Sequence, residues 1–377
     1  MNTKEPYGKI SVINGLRGFA ILGVMYQHLF YIWTPPGFRA MDIFGLKFLP
    51  FTLLSNGWNS VTLFFILSGF VLYLPYATGK RSLRNTGDTV SFYKRRARRL
   101  LPLYYISVLV AMIYIRFPND LKTFFYHFFI MATATFNFTI DMWTPKYNWV
   151  LWSLGIEIWF SVLFPALIVL SEKIDMKRLF IGIALFSLVV RIIGIEIPAL
   201  KINVYLNVLK DSVIGRLDDF ALGMLLCHFY VKWPEWKPTF RMPLSGSFMV
   251  GIILLWMCFT AWDYVVMGLF PMRATPYLHS LFLAGMFFFI LPLLYSRNRW
   301  VAVIFSNRPI QVMGLMCYSI YVWHGIAILP ILKVAFQPAP PARIAVYLLM
   351  VLLISALTYR YIEFGHVKNT RRLFLME

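Results

Sequence analysis

The sequence predicts an all-α polytopic membrane protein of about ten transmembrane helices with both termini in the cytoplasm, and three observations carry that prediction. Of the 377 residues, 59% are hydrophobic and only 14% charged, where a soluble domain has about a quarter charged; the mean hydropathy is +0.67. The apolar residues gather in runs near the length of about 20 residues that a helix needs to cross a bilayer. With the N-terminus placed inside, most of the 36 Lys and Arg residues fall in cytoplasmic segments, as the positive-inside rule requires. The same distribution accounts for the net charge of +20. The charge is topological, so no nucleic-acid partner is indicated.

Along the chain, the predicted spans are 15–34, 58–78, 100–116, 149–171, 179–197, 213–231, 245–268, 276–296, 312–332 and 343–362. The first carries the best functional clue. Arg17 and His28 are eleven residues apart, almost three helical turns and roughly 16 Å, so one helix face bears a cation near one surface and an imidazole well inside. Between the second and third spans a basic loop, Gly79 to Arg99, ends in KRRARR. Residues 117–148 hold an aromatic run, FFYHFFIMATATFNF, too short for a crossing and expected to be re-entrant or interfacial on the outer side. The chain reads as a single membrane domain, 1–377, with no repeat, cleavable leader or appended soluble domain. Cys227, Cys258 and Cys317 lie in apolar segments without metal or redox spacing, so neither a disulfide framework nor a metal site is expected.

The spans bury polar groups at a common depth. His28, Glu157 and His324 each lie roughly 9 to 12 Å below the outer surface by helical rise, and Arg216, Asp218 and Asp219 enter the sixth span from the same side. Because an unpaired charge in hydrocarbon costs a few kcal/mol, one outward-facing pocket explains them better than separate accidents. His127, His228, His279 and His366 fall near loops or span ends, where solvated positions are expected. Trp143, Trp149 and Trp152 cluster near Glu157, either as interfacial anchors or as a carbohydrate platform.

The local sequences also resemble a family. INGLRGFAILGVMYQH, GWNSVTLFFILSGFVLY, FYKRRARRLLPLYY, WSLGIEIWFSVLFP, RLDDFALGMLL, YSIYVWH and YRYIE stand in the order seen in acyltransferase family 3, the integral-membrane acyltransferases of surface sugars. The resemblance implies a ten-helix bacterial inner-membrane domain that moves an acyl group, usually acetyl, from cytoplasmic acyl-CoA to a carbohydrate hydroxyl, free or lipid-linked. The family's Arg-x10-His motif falls on Arg17 and His28. Its RxxR motif falls on Arg95 with Arg98 and Arg96 with Arg99, and its WSL-x-x-E motif on Trp152, Ser153, Leu154 and Glu157. Asn14 and Thr62 stand where many members carry Asp. Many members also carry an esterase-like domain after the last span, and none is expected here.

On this reading, Arg17, Arg95, Arg96, Arg98 and Arg99 grip the phosphates of acetyl-CoA, since guanidinium matches phosphate oxygens. The run from Arg95 to Arg99 reads equally as a topology signal. His28 is the general base for the acceptor hydroxyl and Glu157 orients or charge-stabilises it. Trp149, Trp152, Ser153, Arg216, Asp219 and His324 are the candidate acceptor-binding residues. Arg216 with Asp219 reads also as a structural ion pair, and His324 as a helix contact. No permanently bound cofactor or metal is expected; acetyl-CoA is a co-substrate. The competing classes are a secondary transporter, a membrane scaffold, and an acyltransferase acting on lipid or protein.

Overall fold

In the computed structural model the described residues are 10–33, 41–43, 46–48, 56–57, 59–115, 120–203, 206–233, 246–296, 298–332 and 341–365. In chain order the elements are α1 (Ser11–Trp33), β1 (Met41–Ile43), β2 (Leu46–Phe48), α2 (Asn59–Ala77), α3 (Thr86–Ile115), α4 (Leu121–Ala132) and α5 (Leu151–Lys173). There follow α6 (Met176–Glu196), α7 (Leu217–Lys232), α8 (Gly246–Val266), α9 (Thr275–Tyr295), α10 (Arg299–Phe305), α11 (Arg308–Leu315), α12 (Cys317–Leu332) and α13 (Pro341–Thr358), the last ending in a π turn, Tyr359–Glu363. The two strands form one antiparallel hairpin with Met41 opposite Phe48.

Among the described residues six helices are long and apolar enough to cross a membrane: α2, α5, α6, α8, α9 with its lead-in from Met272, and α13 with its π turn. They coincide with six of the predicted spans. At the other four the helices are shorter or more polar. The α7 and α12 helices have 16 residues each, roughly 24 Å at 1.5 Å per residue, and the first half of α3 is basic. The outward faces confirm the solvent these helices are built for. On α6, Ile181, Leu185, Val189 and Ile193 are exposed while Ser187 and Arg191 are buried. This reverses the polarity of a helix in water, as a lipid-facing stripe requires.

Two differences from the sequence reading have clear causes. The basic stretch expected as a loop is helical from Thr86 onward, continuous with the third span. Arg and Lys are good helix formers, and the Asn85 side chain caps the helix by accepting the Asp88 N–H at 2.8 Å. The ninth span breaks at Met316, so its first residues belong to α11. The aromatic 117–148 region contains the 12-residue α4 and a 3-10 turn at Phe136–Phe138, too short to span by length.

The chain divides into two units, residues 1–78 with 219–317 and 374–377, and residues 79–218 with 318–373. In the first unit α1 lies against α11 and α10. Asn14 donates to the Gln311 carbonyl at 2.8 Å and to its Oε1 at 2.9 Å, so the residue standing in place of the family's Asp fastens two helices. The α2 and α7 helices approach through glycines on both sides. A Cβ on Gly69 would meet the Phe220 backbone, and one on Gly223 the backbone of Ile66 and Phe70, the small-residue contact typical of membrane helices. The α8 and α9 helices form an antiparallel hairpin, with Phe248 on Phe289 and Phe259 edge-on to Phe282.

In the second unit α3 runs antiparallel to α5. Phe92 stacks on Phe164 at 5.2 Å, and the Tyr93 hydroxyl donates to the Val162 carbonyl at 2.8 Å. Its core gathers Leu103, Tyr104, Phe136, Met142, Leu151 and Val322. The Tyr104 hydroxyl donates to the Met131 carbonyl and so ties α4 to α3. At the end of α4, Ala134 takes a left-handed conformation at φ 52°. It closes a Schellman turn, in which the Ala134 N–H reaches the Met131 carbonyl at 3.2 Å and the Thr135 N–H the Ile130 carbonyl at 3.0 Å.

Candidate functional site

In the first unit, α1 is one continuous helix through Arg17 and His28, so the two lie on one face, roughly 16 Å apart. Both are half-buried. Among the described residues no hydrogen bond or ion pair reaches Arg17, and its Nε is buried without a partner. Several separate contacts lie between the His28 end of α1 and other ionisable groups of this unit. Gln27 abuts Gly57; the neighbouring Asn56 donates to Asp263 Oδ1 on α8 at 3.0 Å. Five residues earlier on α8, on another side of the helix, the Cys258 thiol donates to the Leu278 carbonyl of α9 at 3.7 Å. The next residue, His279, holds Asp219 Oδ1 of α7 through Nε2 at 2.7 Å.

The second unit joins two of the motif residues directly. Arg96 Nη2 donates to Glu157 Oε1 at 3.0 Å, and its Nε donates to Ser161 Oγ at 3.1 Å. Ser161 in turn donates to the Glu157 carbonyl at 2.8 Å. Glu157 lies roughly 24 Å along α5 from Lys173, so Arg96 stands well up the spanning helix, where the sequence reading had the two near opposite faces. The cause is the early start of α3: its basic residues climb alongside α5. Arg95 and Arg98 are exposed and Arg99 half-buried on the remaining arc of α3.

The expected acceptor residues are dispersed into packing. Tyr321 has one hydroxyl proton and donates it to the Val150 carbonyl at 2.9 Å, so Ser153, at 2.6 Å, must be the donor to Tyr321. His324 is fully buried, with Nδ1 at 2.6 Å from the Tyr321 carbonyl. Trp152 stacks on Trp143 at 5.1 Å and both are buried, while Trp149 is half-buried. Arg216 lies 3.4 Å from Asp211. Lys210, at 2.8 Å from the same carboxylate, has its ammonium pushed below the usual lysine range by burial.

Several groups that matter were not singled out by their sequence positions. Arg191 grips both oxygens of Asp218 at 2.8 Å and the Gly215 carbonyl at 2.8 Å. Its signal was legible, an arginine within an apolar run. His127 and His279, expected near solvent, are instead engaged: His127 is buried beside the Tyr147 hydroxyl at 2.9 Å, and the half-buried His279 meets Asp219. Burial and the Lys146 cation hold His127 below the ordinary imidazole value. His228 packs edge-on against Phe229 and Trp233. His366 lies outside the described residues.

Apolar helices with lipid-facing stripes and ionisable groups turned inward define a multi-pass membrane protein. A family model described as an acyltransferase domain, that of acyltransferase family 3, matches residues 10–360, and the chain belongs to that family. It is similar to the peptidoglycan O-acetyltransferase OatA of Listeria monocytogenes, 27% identical over 388 residues, covering 95% of this chain and 56% of that protein. It is also similar to a putative O-acetyltransferase of Staphylococcus aureus strain COL, 25% identical over 380 residues. A third relative is the O-acetyltransferase OatA of Staphylococcus aureus NCTC 8325, 24% identical over 379 residues; both cover 93% of this chain and 56% of the relative. The chain thus spans about half the length of these relatives. No solved structure matches it.

Proposed function

We propose that this protein moves an acetyl group from cytoplasmic acetyl-CoA to a hydroxyl of a surface polysaccharide or its lipid-linked precursor in the bacterial inner membrane. Family membership supports acyl transfer, and the names of the relatives support acetyl as the group and a glycan such as peptidoglycan as the acceptor. The observation that carries the finer reading is Arg17, on the same face of α1 as His28 and with no partner among the described residues. A half-buried guanidinium whose Nε is out of solvent without an acceptor is costly, and a phosphate of the donor is a fitting anion.

The division of labour follows. Arg17 and the exposed Arg95 and Arg98 hold the phosphate-bearing end of the donor. Arg96 is engaged by Glu157, which fixes α3 against α5 and so sets the direction of the other arginines. His28 removes the proton from the acceptor hydroxyl, whose oxygen attacks the thioester carbon; the carbon–sulfur bond breaks and CoA leaves as the thiolate.

The test is acceptor-dependent release of CoA by the purified protein in nanodiscs, with cell-wall glycan as acceptor. Release that falls at least about 100-fold in His28→Ala, a typical general-base contribution, is the expected result. Full turnover in that variant removes His28 from the mechanism. No release from wild type across several glycans and acyl donors, beside an active control enzyme in the same lipid, removes the transferase reading.

A further inference from the structure

We infer that α3 carries a binding site for an anionic phospholipid, with Lys94 as the cation on the headgroup and the apolar turns beyond it along the acyl chains. Lys94, Arg98, Tyr105, Leu109 and Ile113 succeed one another at steps of four and seven residues, the spacing of one helix face. Tyr105, Leu109 and Ile113 are 44%, 59% and 65% exposed, and Lys94 and Arg98 are exposed at the head of the same stripe. On the opposite arc Phe92, Leu103, Ser107 and Ala111 are buried. Arg96 belongs to that inner arc and is held by Glu157. Arg98 stands roughly 10 Å along the axis from Tyr105, and Lys94 one turn further. The stripe that meets hydrocarbon thus runs on into cations at the level of the headgroups.

Charge selects the lipid. Among the described residues no hydrogen bond or ion pair reaches Lys94 or Arg98. From Lys80 to Tyr105 the sequence has one acid, Asp88, and it accepts from the Ser82 hydroxyl and the Arg84 N–H at 3.1 Å each. The counter-charge for the stripe therefore comes from outside the chain. A phosphodiester supplies it, and its acyl chains match the exposed Tyr105, Leu109 and Ile113, which a free phosphate does not. A topology signal requires a number of cations at one end of a span, not a side of the helix for them to take. Here one arginine turns inward to a carboxylate, and Lys94 and Arg98 turn to the lipid-facing side. The proposed function gives Arg95 and Arg98 to the acetyl donor, so Lys94 is the cation that belongs to the lipid alone, and the site stands or falls independently of acyl transfer.

Native mass spectrometry of the chain in detergent, titrated with phosphatidylglycerol or with zwitterionic phosphatidylethanolamine of the same acyl chains, tests the site. Wild type is expected to hold phosphatidylglycerol at least about fivefold more tightly, the effect of one basic side chain at a lipid surface. Lys94→Gln should lose that preference and Lys94→Arg keep it. Arg178→Gln, which removes an exposed cation of α6, should leave it unchanged. Equal retention of the two lipids overturns the site. So does an equal loss in Lys94→Gln and Arg178→Gln, which reduces the effect to total charge. A second measurement needs no variant. In wild type, phosphatidylglycerol with a photoreactive acyl chain should label the α3 peptide bearing Tyr105 and Leu109 above the α6 stripe of Ile181, Leu185 and Val189; equal labelling of the two stripes overturns the site. Acetyl-CoA distinguishes the other source of phosphate: if Lys94→Gln weakens its binding about fivefold and leaves phosphatidylglycerol unchanged, Lys94 belongs to the donor and the lipid site is removed.

Discussion

Replacing Arg191 with Met isolates the contribution of the ion pair that anchors α6 to Asp218, in the first turn of α7. The two side chains are 2% and 1% exposed, and Arg191 makes three bonds of 2.8 Å, two to Asp218 and one to the Gly215 carbonyl. Desolvating a carboxylate without its partner costs about 3 to 5 kcal/mol, and the Gly215 carbonyl loses about 1 kcal/mol more. Arg191→Met is therefore expected to destabilise by about 4 to 6 kcal/mol, the sum of those two losses. The double variant Arg191→Met, Asp218→Leu should recover most of the loss, because the unpaired charge is gone. Unfolding in mixed micelles on titration with SDS, followed by tryptophan fluorescence, reads both. A single variant within about 1 kcal/mol of wild type, or a double variant worse than either single, would refute the account. A double variant that is stable but inactive would move Asp218 into the chemistry.

Three further outcomes follow from named contacts. Because burial keeps His127 below its usual 6.5, the unfolded chain takes the proton first. Stability should fall as pH drops below about 6.5 and hold above it; in His127→Asn, thermal midpoints should lose that acid-dependent component. Ala134→Gly should be neutral or stabilising by up to about 1 kcal/mol, since glycine accepts a positive φ, whereas Ala134→Val should cost about 1 to 3 kcal/mol; chemical unfolding of the two variants decides it. Gly223→Val places side-chain atoms where the α2 backbone passes, so the yield of monodisperse protein on size exclusion should collapse, while Gly182→Ala, which meets open space, should leave it unchanged.

Much of the fold was legible because hydrophobic length is a strong signal. The α2, α5, α6, α8, α9 and α13 helices fall on spans read from apolar runs. Charge misled the reading at α3, where KRRARR looked like a loop; helix propensity and the Asn85 cap continue the helix through it. The site was legible as residue types and not as pairings. Glu157 meets a residue 61 positions away, and Asp219 one 60 positions away. Periodicity within one helix constrains neither. Trp143 and Trp152 were rightly grouped, yet only packing reveals that each covers the other instead of an open face.

The Arg191–Asp218 pair also bears on how the protein is made. The partners are 27 residues apart, and α6 leaves the ribosome first. At about 5 to 20 residues per second, its arginine waits on the order of one to five seconds for the carboxylate that neutralises it. During that interval α6 is a span with an unmet charge near one end. Its final seating therefore waits for the residues that carry Asp218, which ties the insertion of this span to the synthesis of the next stretch of chain.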